Sequence, residues 1–267
     1  MFWKLVKYEL KTVNKWYLGL YAGIMALSVV IGLWIRGGLE TGGFWSALFS
    51  ETAGNTVEYP SHSTNGNIFL EIFSMVTIIA FFSLLVALSI STLFLIIRRF
   101  KRSVYDREGY LTLTLPVSKH EIILSKLTSA FLWTILSTLT LIISVLLISL
   151  IVGAGHIDWS LFKINTIDWI GITQGLLYFF FSTISSILLI YLAISIGQLF
   201  NDNRVAFGFL TYFAITIIIS ILSLTISTTL NIGEDGFLSY AITQDIVLSL
   251  LYYFGTYYIL KNKVNLQ

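Results

Sequence analysis

The sequence contains no cysteine and only three histidines. The lack of cysteine excludes disulfide bridges, thiolate nucleophiles and cysteine-ligated zinc or iron–sulfur sites. His62, His120 and His156 form no pair at helical spacing, so a histidine-based metal site is not expected either. The sequence therefore predicts no metal site and no catalytic residue.

Charged residues and proline are also scarce. Of the 267 residues, 11% are charged and 2 are proline, whereas 56% are hydrophobic and the mean hydropathy is +0.85. A soluble globular domain has about 25% charged residues. Long apolar runs with so few breaks predict membrane-spanning α-helices rather than the short alternating strands of an outer-membrane barrel. The sequence therefore predicts an all-α membrane protein.

Six apolar runs are each long enough to cross a hydrocarbon core of about 30 Å, which takes about 20 helical residues. The predicted spans are residues 16–35, 68–97, 119–152, 169–200, 205–227 and 240–260. If the N-terminus is cytoplasmic, all 16 basic residues except Arg36 and Lys163 fall in cytoplasmic segments. The positive-inside rule therefore places both termini in the cytoplasm, with residues 1–267 forming a single membrane domain.

Residues 1–15 have the pattern of an amphipathic helix. Their apolar side chains share one helical stripe, and the lysines gather nearly opposite it: Lys4, Lys7, Lys11 and Lys15. This pattern is typical of a helix that lies in the membrane surface and contacts lipid headgroups. A basic flank that only fixes the topology is the alternative.

The connection between the second and third spans, residues 98–118, has more structure than a topology anchor requires. Gly109 and Pro116 both disfavour a continuous helix. Ser118 with Glu121 three residues later makes a capping box, so a helix should restart directly after the serine. The apolar residues between the two breaks are expected to be exposed, and exposed apolar clusters usually meet a partner.

This connection resembles the first cytoplasmic loop of ABC-2 family permeases, the membrane subunits of ATP-driven exporters. The resemblance depends on Glu108, Gly109, Tyr110, Leu111, Leu115, Pro116, Val117, Ser118 and Lys126. The six spans, the basic N-terminal segment and the chain length fit the family layout as well. The Tyr-Leu-Thr-Leu-Thr-Leu run is most similar to permeases of Gram-positive bacteria that move or expel peptides, which implies a plasma-membrane location.

In ABC-2 permeases this loop forms a short coupling helix that docks on a separate ATPase subunit. The resemblance therefore implies an ATPase-coupling role for Tyr105, Glu108, Gly109, Tyr110, Leu111, Leu113 and Leu115. The chain has no G-x-x-x-x-G-K-[ST] phosphate loop, so ATP and Mg²⁺ would bind the partner and no cofactor is expected on this chain. The family also implies a second permease, either another copy of this chain or a related one.

The family lines its translocation path with the second and fifth spans. This implies substrate contacts for Phe82, Ser89, Phe209 and Tyr212. Apolar, aromatic-rich spans with few fixed charges suit an amphipathic or antimicrobial peptide, with export of another lipid-like or small hydrophobic substrate as the alternative. No ionisable residue is predicted near the bilayer centre, where secondary transporters bind coupling ions, and no nucleic-acid partner is expected.

Two other classes of function are open. A membrane sensor or scaffold would also use a basic loop with exposed leucines, but its function would not depend on an ATPase. An intramembrane enzyme would need a catalytic cluster, and the sequence contains no H-E-x-x-H and no G-x-S-x-G. The last outer connection, residues 228–239, is too short for the re-entrant hairpin of polysaccharide exporters, which makes a polysaccharide substrate less attractive.

Overall fold

The computed structural model describes residues 6–7, 14–41, 65–105, 118–153, 169–200 and 203–262. Within these ranges the chain forms six long helices and no strand, as the sequence predicts. The helices are α1 (Asn14–Thr41), α2 (Asn65–Val104), α3 (Lys119–Val152), α4 (Trp169–Gly197), α5 (Arg204–Thr229) and α6 (Glu234–Asn262). All six are long and apolar enough to cross a membrane, which fits a multi-pass membrane protein.

Most predicted span boundaries lie within three residues of the observed ones, but α1 ends six residues later than predicted, α6 begins six residues earlier, and α2 is the furthest from its prediction, ending seven residues later. It continues through residues 98–104, which the sequence analysis assigned to the following connection. The reason is that Arg and Lys are good helix formers, so a helix need not end where its apolar run ends. Lys101 and Arg102 in the last turn also interact favourably with the negative end of the helix dipole. With 40 residues, α2 is about 60 Å long, about twice the thickness of the hydrocarbon core.

The start of α3 confirms the predicted capping box. The backbone N–H of Glu121 donates to Ser118 Oγ at 3.2 Å, and the backbone N–H of Ser118 donates to Glu121 Oε2 at 3.2 Å. These two bonds satisfy backbone donors that have no partner within the helix itself. Local side-chain chemistry therefore fixes where α3 begins.

The connection between α5 and α6 is a tight turn of residues 230–233. Asn231 has a left-handed backbone, with φ of 48°. The N–H of Ile232 donates to the carbonyl of Ser227 at 3.1 Å, and the N–H of Asn231 donates to the carbonyl of Thr228 at 3.2 Å. This is a Schellman motif with asparagine in the position that glycine usually occupies. The turn leaves no room for a re-entrant hairpin.

The chain divides into two compact units. The first unit combines Met1–Thr12, Leu93–Thr134 and Asn165–Gln267, and the second combines Val13–Thr92 and Ile135–Ile164. The long helices α2 and α3 each contribute to both units.

In the second unit, α1, α2 and α3 are joined by hydrogen bonds and a close contact. The hydroxyls of Tyr21 and Ser137 lie 3.1 Å apart, and those of Thr92 and Ser137 lie 3.3 Å apart. A Cβ atom at Gly32 would lie 2.9 Å from Cβ of Ile151. Helices α1 and α3 therefore approach each other here more closely than any residue larger than glycine would allow at position 32. Polar bonds and small residues of this kind hold helices together in lipid, where the hydrophobic effect does not.

In the first unit, the buried core lies at the end where α2 ends and α3 begins. The rings of Phe100 and Tyr191 stack with centroids 4.0 Å apart, and both side chains are almost completely buried. Ile123 and Leu260 belong to the same core. Basic residues surround it, and we call this part of the first unit the basic end: Arg98, Lys101, Arg102, Lys119, Arg204 and Lys261.

Candidate functional site

A cleft of about 200 Å³ opens between α2, α4 and α5 within the first unit. Helix α2 contributes Leu93, Ile97 and Lys101. Helix α4 and the turn after it contribute Ile190, Ala193, Ile194 and Gln198. Helix α5 contributes Arg204, Val205, Gly208, Phe209, Tyr212 and Phe213. The walls are apolar and aromatic for most of their length.

The charged residues that line the cleft belong to the basic end of the first unit. Lys101 is in the last turn of α2 and Arg204 is the first residue of α5, with Gln198 in the turn between α4 and α5. In the part of the chain that the structure describes, no acidic residue lines the cleft. The lining of the cleft is therefore almost entirely apolar, with two basic residues at one end.

Small residues in α4 and α5 bring the two helices together beside the cleft. A Cβ atom at Gly197 would lie 2.7 Å from the carbonyl oxygen of Arg204 and 2.8 Å from Cα of Gly208. The backbones of α4 and α5 therefore touch at this point, which glycine alone permits. Further along, Gly208 faces the backbone of Ala193, and these two small residues leave space in the cleft.

The structure brings together two of the four predicted substrate contacts. Phe209 and Tyr212 both line the cleft, and the ring of Phe213 packs near each of them. Phe82 and Ser89 belong to the second unit and are exposed. The hydroxyl of Ser89 donates to a backbone carbonyl of its own helix at 3.0 Å.

Sequence reasoning did not identify Lys101, Gln198, Arg204 and Gly208 as members of one site. Lys101 and Arg204 were counted among the cytoplasmic basic residues and were not assigned to a common cleft. A basic residue next to an apolar helical stripe is the signal that could have found them. The contribution of Gly208 depends on the neighbouring helix, so its own sequence position gives no signal.

A second polar cluster holds the start of α3 against the end of α6. Lys119 Nζ donates to the carbonyl of Leu260 at 3.0 Å. His120 Nδ1 lies 2.6 Å from the hydroxyl of Tyr253, and the His120 ring stacks on Tyr257 with centroids 4.0 Å apart. The first turn of α3 is therefore fixed by side-chain contacts as well as by its cap.

Of the predicted ATPase-coupling residues, Tyr105 is the one that lies in the described part of the chain. It directly follows α2, and its ring packs edge-on against Phe100 at 6.1 Å. Burial raises the pKa of Tyr105 to about 12, an effect that the nearby Ser195 hydroxyl opposes only in part, so the phenol stays protonated at physiological pH. The other predicted coupling residues lie outside the described residues: Glu108, Gly109, Tyr110, Leu111, Leu113 and Leu115.

The predicted membrane-surface segment is described at Val6 and Lys7 and from Asn14 onward. Val6 and Lys7 have helical backbones, with Val6 buried and Lys7 exposed. Lys4 and Lys11 lie outside the described residues, and the backbone of Lys15 belongs to α1. The amphipathic surface helix therefore stays a prediction.

No protein-family model, curated protein or solved structure matches this chain.

Proposed function

We propose that this chain is the permease subunit of an ATP-driven exporter of the ABC-2 type. The observation that carries the proposal is the helix break between Val104 and Ser118, since the family motif lies in this stretch of sequence. Helix α2 ends before the motif and α3 restarts from the capping box that closes it. A segment placed between two long helices in this way suits docking of a partner subunit.

The packing at both ends of this segment supports a coupling role. The end of α2 is held to α4 by the stacked rings of Phe100 and Tyr191. The start of α3 is held to α6 through His120 and Lys119. A displacement of the segment by a closing ATPase would therefore move packed helices rather than a loose loop, and packed helices transmit such motion.

The charge distribution supports a cytoplasmic location for the basic end. The positive-inside rule would place both termini on the same side, with residues 1–15 on the membrane surface. The ATPase and its bound ATP and Mg²⁺ would lie below the basic end. We place the chain in the plasma membrane of a Gram-positive bacterium because the motif is most similar to permeases from that source.

The scarcity of acidic residues in the spans supports the proposal that a partner subunit supplies the energy for transport. Across the six described spans, the acidic residues are Glu121, in the first turn of α3, and Asp245 in α6. Glu121 lies in a terminal turn, whereas Asp245 lies nearer the middle of α6 than the predicted span of 240–260 implies, because α6 begins at Glu234. One acidic residue at that depth offers few ligands for a coupling ion. ATP hydrolysis by a separate subunit would supply the energy instead.

The proposed cargo is an amphipathic or antimicrobial peptide, moved between this chain and a second permease, with a lipid-like or small hydrophobic substrate as the alternative. Phe82 and Ser89, which are exposed in the second unit, are the proposed cargo contacts.

Substitutions in the proposed coupling segment test the assignment. In reconstituted complexes with the ATPase, Leu113→Asp and Glu108→Ala should each lower transport and transport-coupled ATP hydrolysis, because they alter the docking surface and not a span. Membrane insertion should be unchanged. Leu230→Asp is the matched control. Leu230 is an exposed leucine in the turn between α5 and α6, and it lies at the end of α5 that is farthest from the basic end. Normal transport by both segment variants in fully assembled complexes would remove the coupling assignment.

A non-transporting sensor or scaffold is the rival class. It predicts that deleting the partner ATPase gene leaves the function intact, whereas an exporter loses its activity completely.

A further inference from the structure

The cleft between α2, α4 and α5 has apolar walls and two basic residues at one end. Lys101 and Arg204 lie at that end, where they contribute almost only apolar atoms to the lining, and Ile97, Ile194 and Phe213 line the rest. A ligand that matches this arrangement has an anionic head and an apolar tail. Such a ligand is abundant in membranes, because anionic phospholipids have this arrangement of charge.

The length of the cleft agrees with one leaflet of a bilayer. Its lining residues on α5 run from Arg204 to Phe213, which corresponds to about 14 Å at 1.5 Å per residue. Half of a hydrocarbon core of about 30 Å is about 15 Å. An acyl chain in the cleft would therefore reach from the headgroup level to about the middle of the bilayer.

We propose that the cleft binds one acyl chain of an anionic phospholipid, with the lipid phosphate between Lys101 and Arg204. Basic pockets between membrane helices bind anionic headgroups in this manner. Gln198 can donate a further hydrogen bond at the same level. The lipid tail contacts Phe209 and Tyr212, which assigns these two residues to lipid rather than to cargo.

Lipid binding to the purified full-length chain tests the proposal without any ATPase, so its failure would leave the exporter proposal untouched. Native mass spectrometry in mild detergent would compare phosphatidylglycerol and phosphatidylcholine with identical acyl chains. Wild type should bind one phosphatidylglycerol at least about fivefold more tightly than phosphatidylcholine. The double variant Lys101→Gln/Arg204→Gln should lose this preference.

Two further variants test whether lipid binding needs the open space of the cleft and whether the loss of any basic residue at the basic end lowers it. Gly208→Leu places a side chain in the cleft and should lower the binding of both lipids. Lys261→Gln is the matched control, because Lys261 is exposed at the basic end and does not line the cleft, and it should bind as wild type does. Circular dichroism and size-exclusion profiles equal to those of wild type would show that each variant is folded.

Three results would overturn the proposal. One is equal binding of the two lipids by wild type, and another is an unchanged preference in the Lys101→Gln/Arg204→Gln variant. The third is disulfide cross-linking of Val205→Cys between two copies of the chain. Since the natural sequence has no cysteine, such a cross-link would show that a second copy covers the cleft.

Discussion

Gly197 determines how closely α4 and α5 approach each other. Any Cβ atom at this position would meet the backbone of Arg204 and Gly208 at less than 3 Å. Backbone atoms cannot move aside as the tip of a flexible side chain can. The two helices would have to separate, and the cleft beside them would change shape.

Gly197→Ala should therefore lower the free energy of unfolding by about 1 to 3 kcal/mol, the usual cost of overpacking a tight contact. Gly208→Ala is the matched control, because its Cβ would lie 3.5 Å from the carbonyl oxygen of Ala193, an ordinary van der Waals distance. Thermal unfolding of both variants in the same detergent measures the difference. Equal losses of unfolding free energy in the two variants would contradict a backbone contact at Gly197.

Single residues also show what sequence reasoning could find. Phe209 and Tyr212 were predicted to contact substrate, which stays a prediction, and the structure places both residues in one cleft. That they share it with Lys101 could not be predicted, because the two sides of the cleft come from parts of the chain about a hundred residues apart. Uniformly apolar helices give no amphipathic face from which such a contact could be read.

At the scale of an element, the start of α3 was predictable because a capping box is local chemistry. The end of α2 was not predicted correctly, because the apolar run ends at Ile97 while the helix continues through residues 98–104, which contain no proline or glycine. A helix need not end where its apolar run ends, so hydropathy alone does not locate the end.

The cap of α3 allows a direct test of this local control. Ser118→Ala removes the acceptor for the backbone N–H of Glu121 and should destabilise the first turn by about 1 kcal/mol. Hydrogen exchange of the amides of residues 119–122 should become faster. Glu121→Gln keeps an acceptor for the backbone N–H of Ser118 and should change the exchange much less. If both variants exchange as wild type does, the contacts of His120 and Lys119 hold the turn without the cap.

At the scale of the whole molecule, the six long helices among the described residues followed from hydropathy alone. A chain in lipid must satisfy its backbone hydrogen bonds internally, so each long apolar run has to form a helix. The division into two units and the sharing of α2 and α3 between them could not be predicted. Both depend on which helices pack against each other, and uniformly apolar spans do not indicate this.

The central claim is that this chain works with a separate ATPase. The most direct measurement is purification of the tagged protein from its native host in mild detergent, followed by mass spectrometry of the bound proteins and an assay of ATP hydrolysis. We expect a stoichiometric P-loop ATPase whose activity changes when Leu113→Asp is introduced. Recovery of the chain alone, or with a signalling partner and no ATP hydrolysis, would contradict the exporter proposal and favour a membrane sensor.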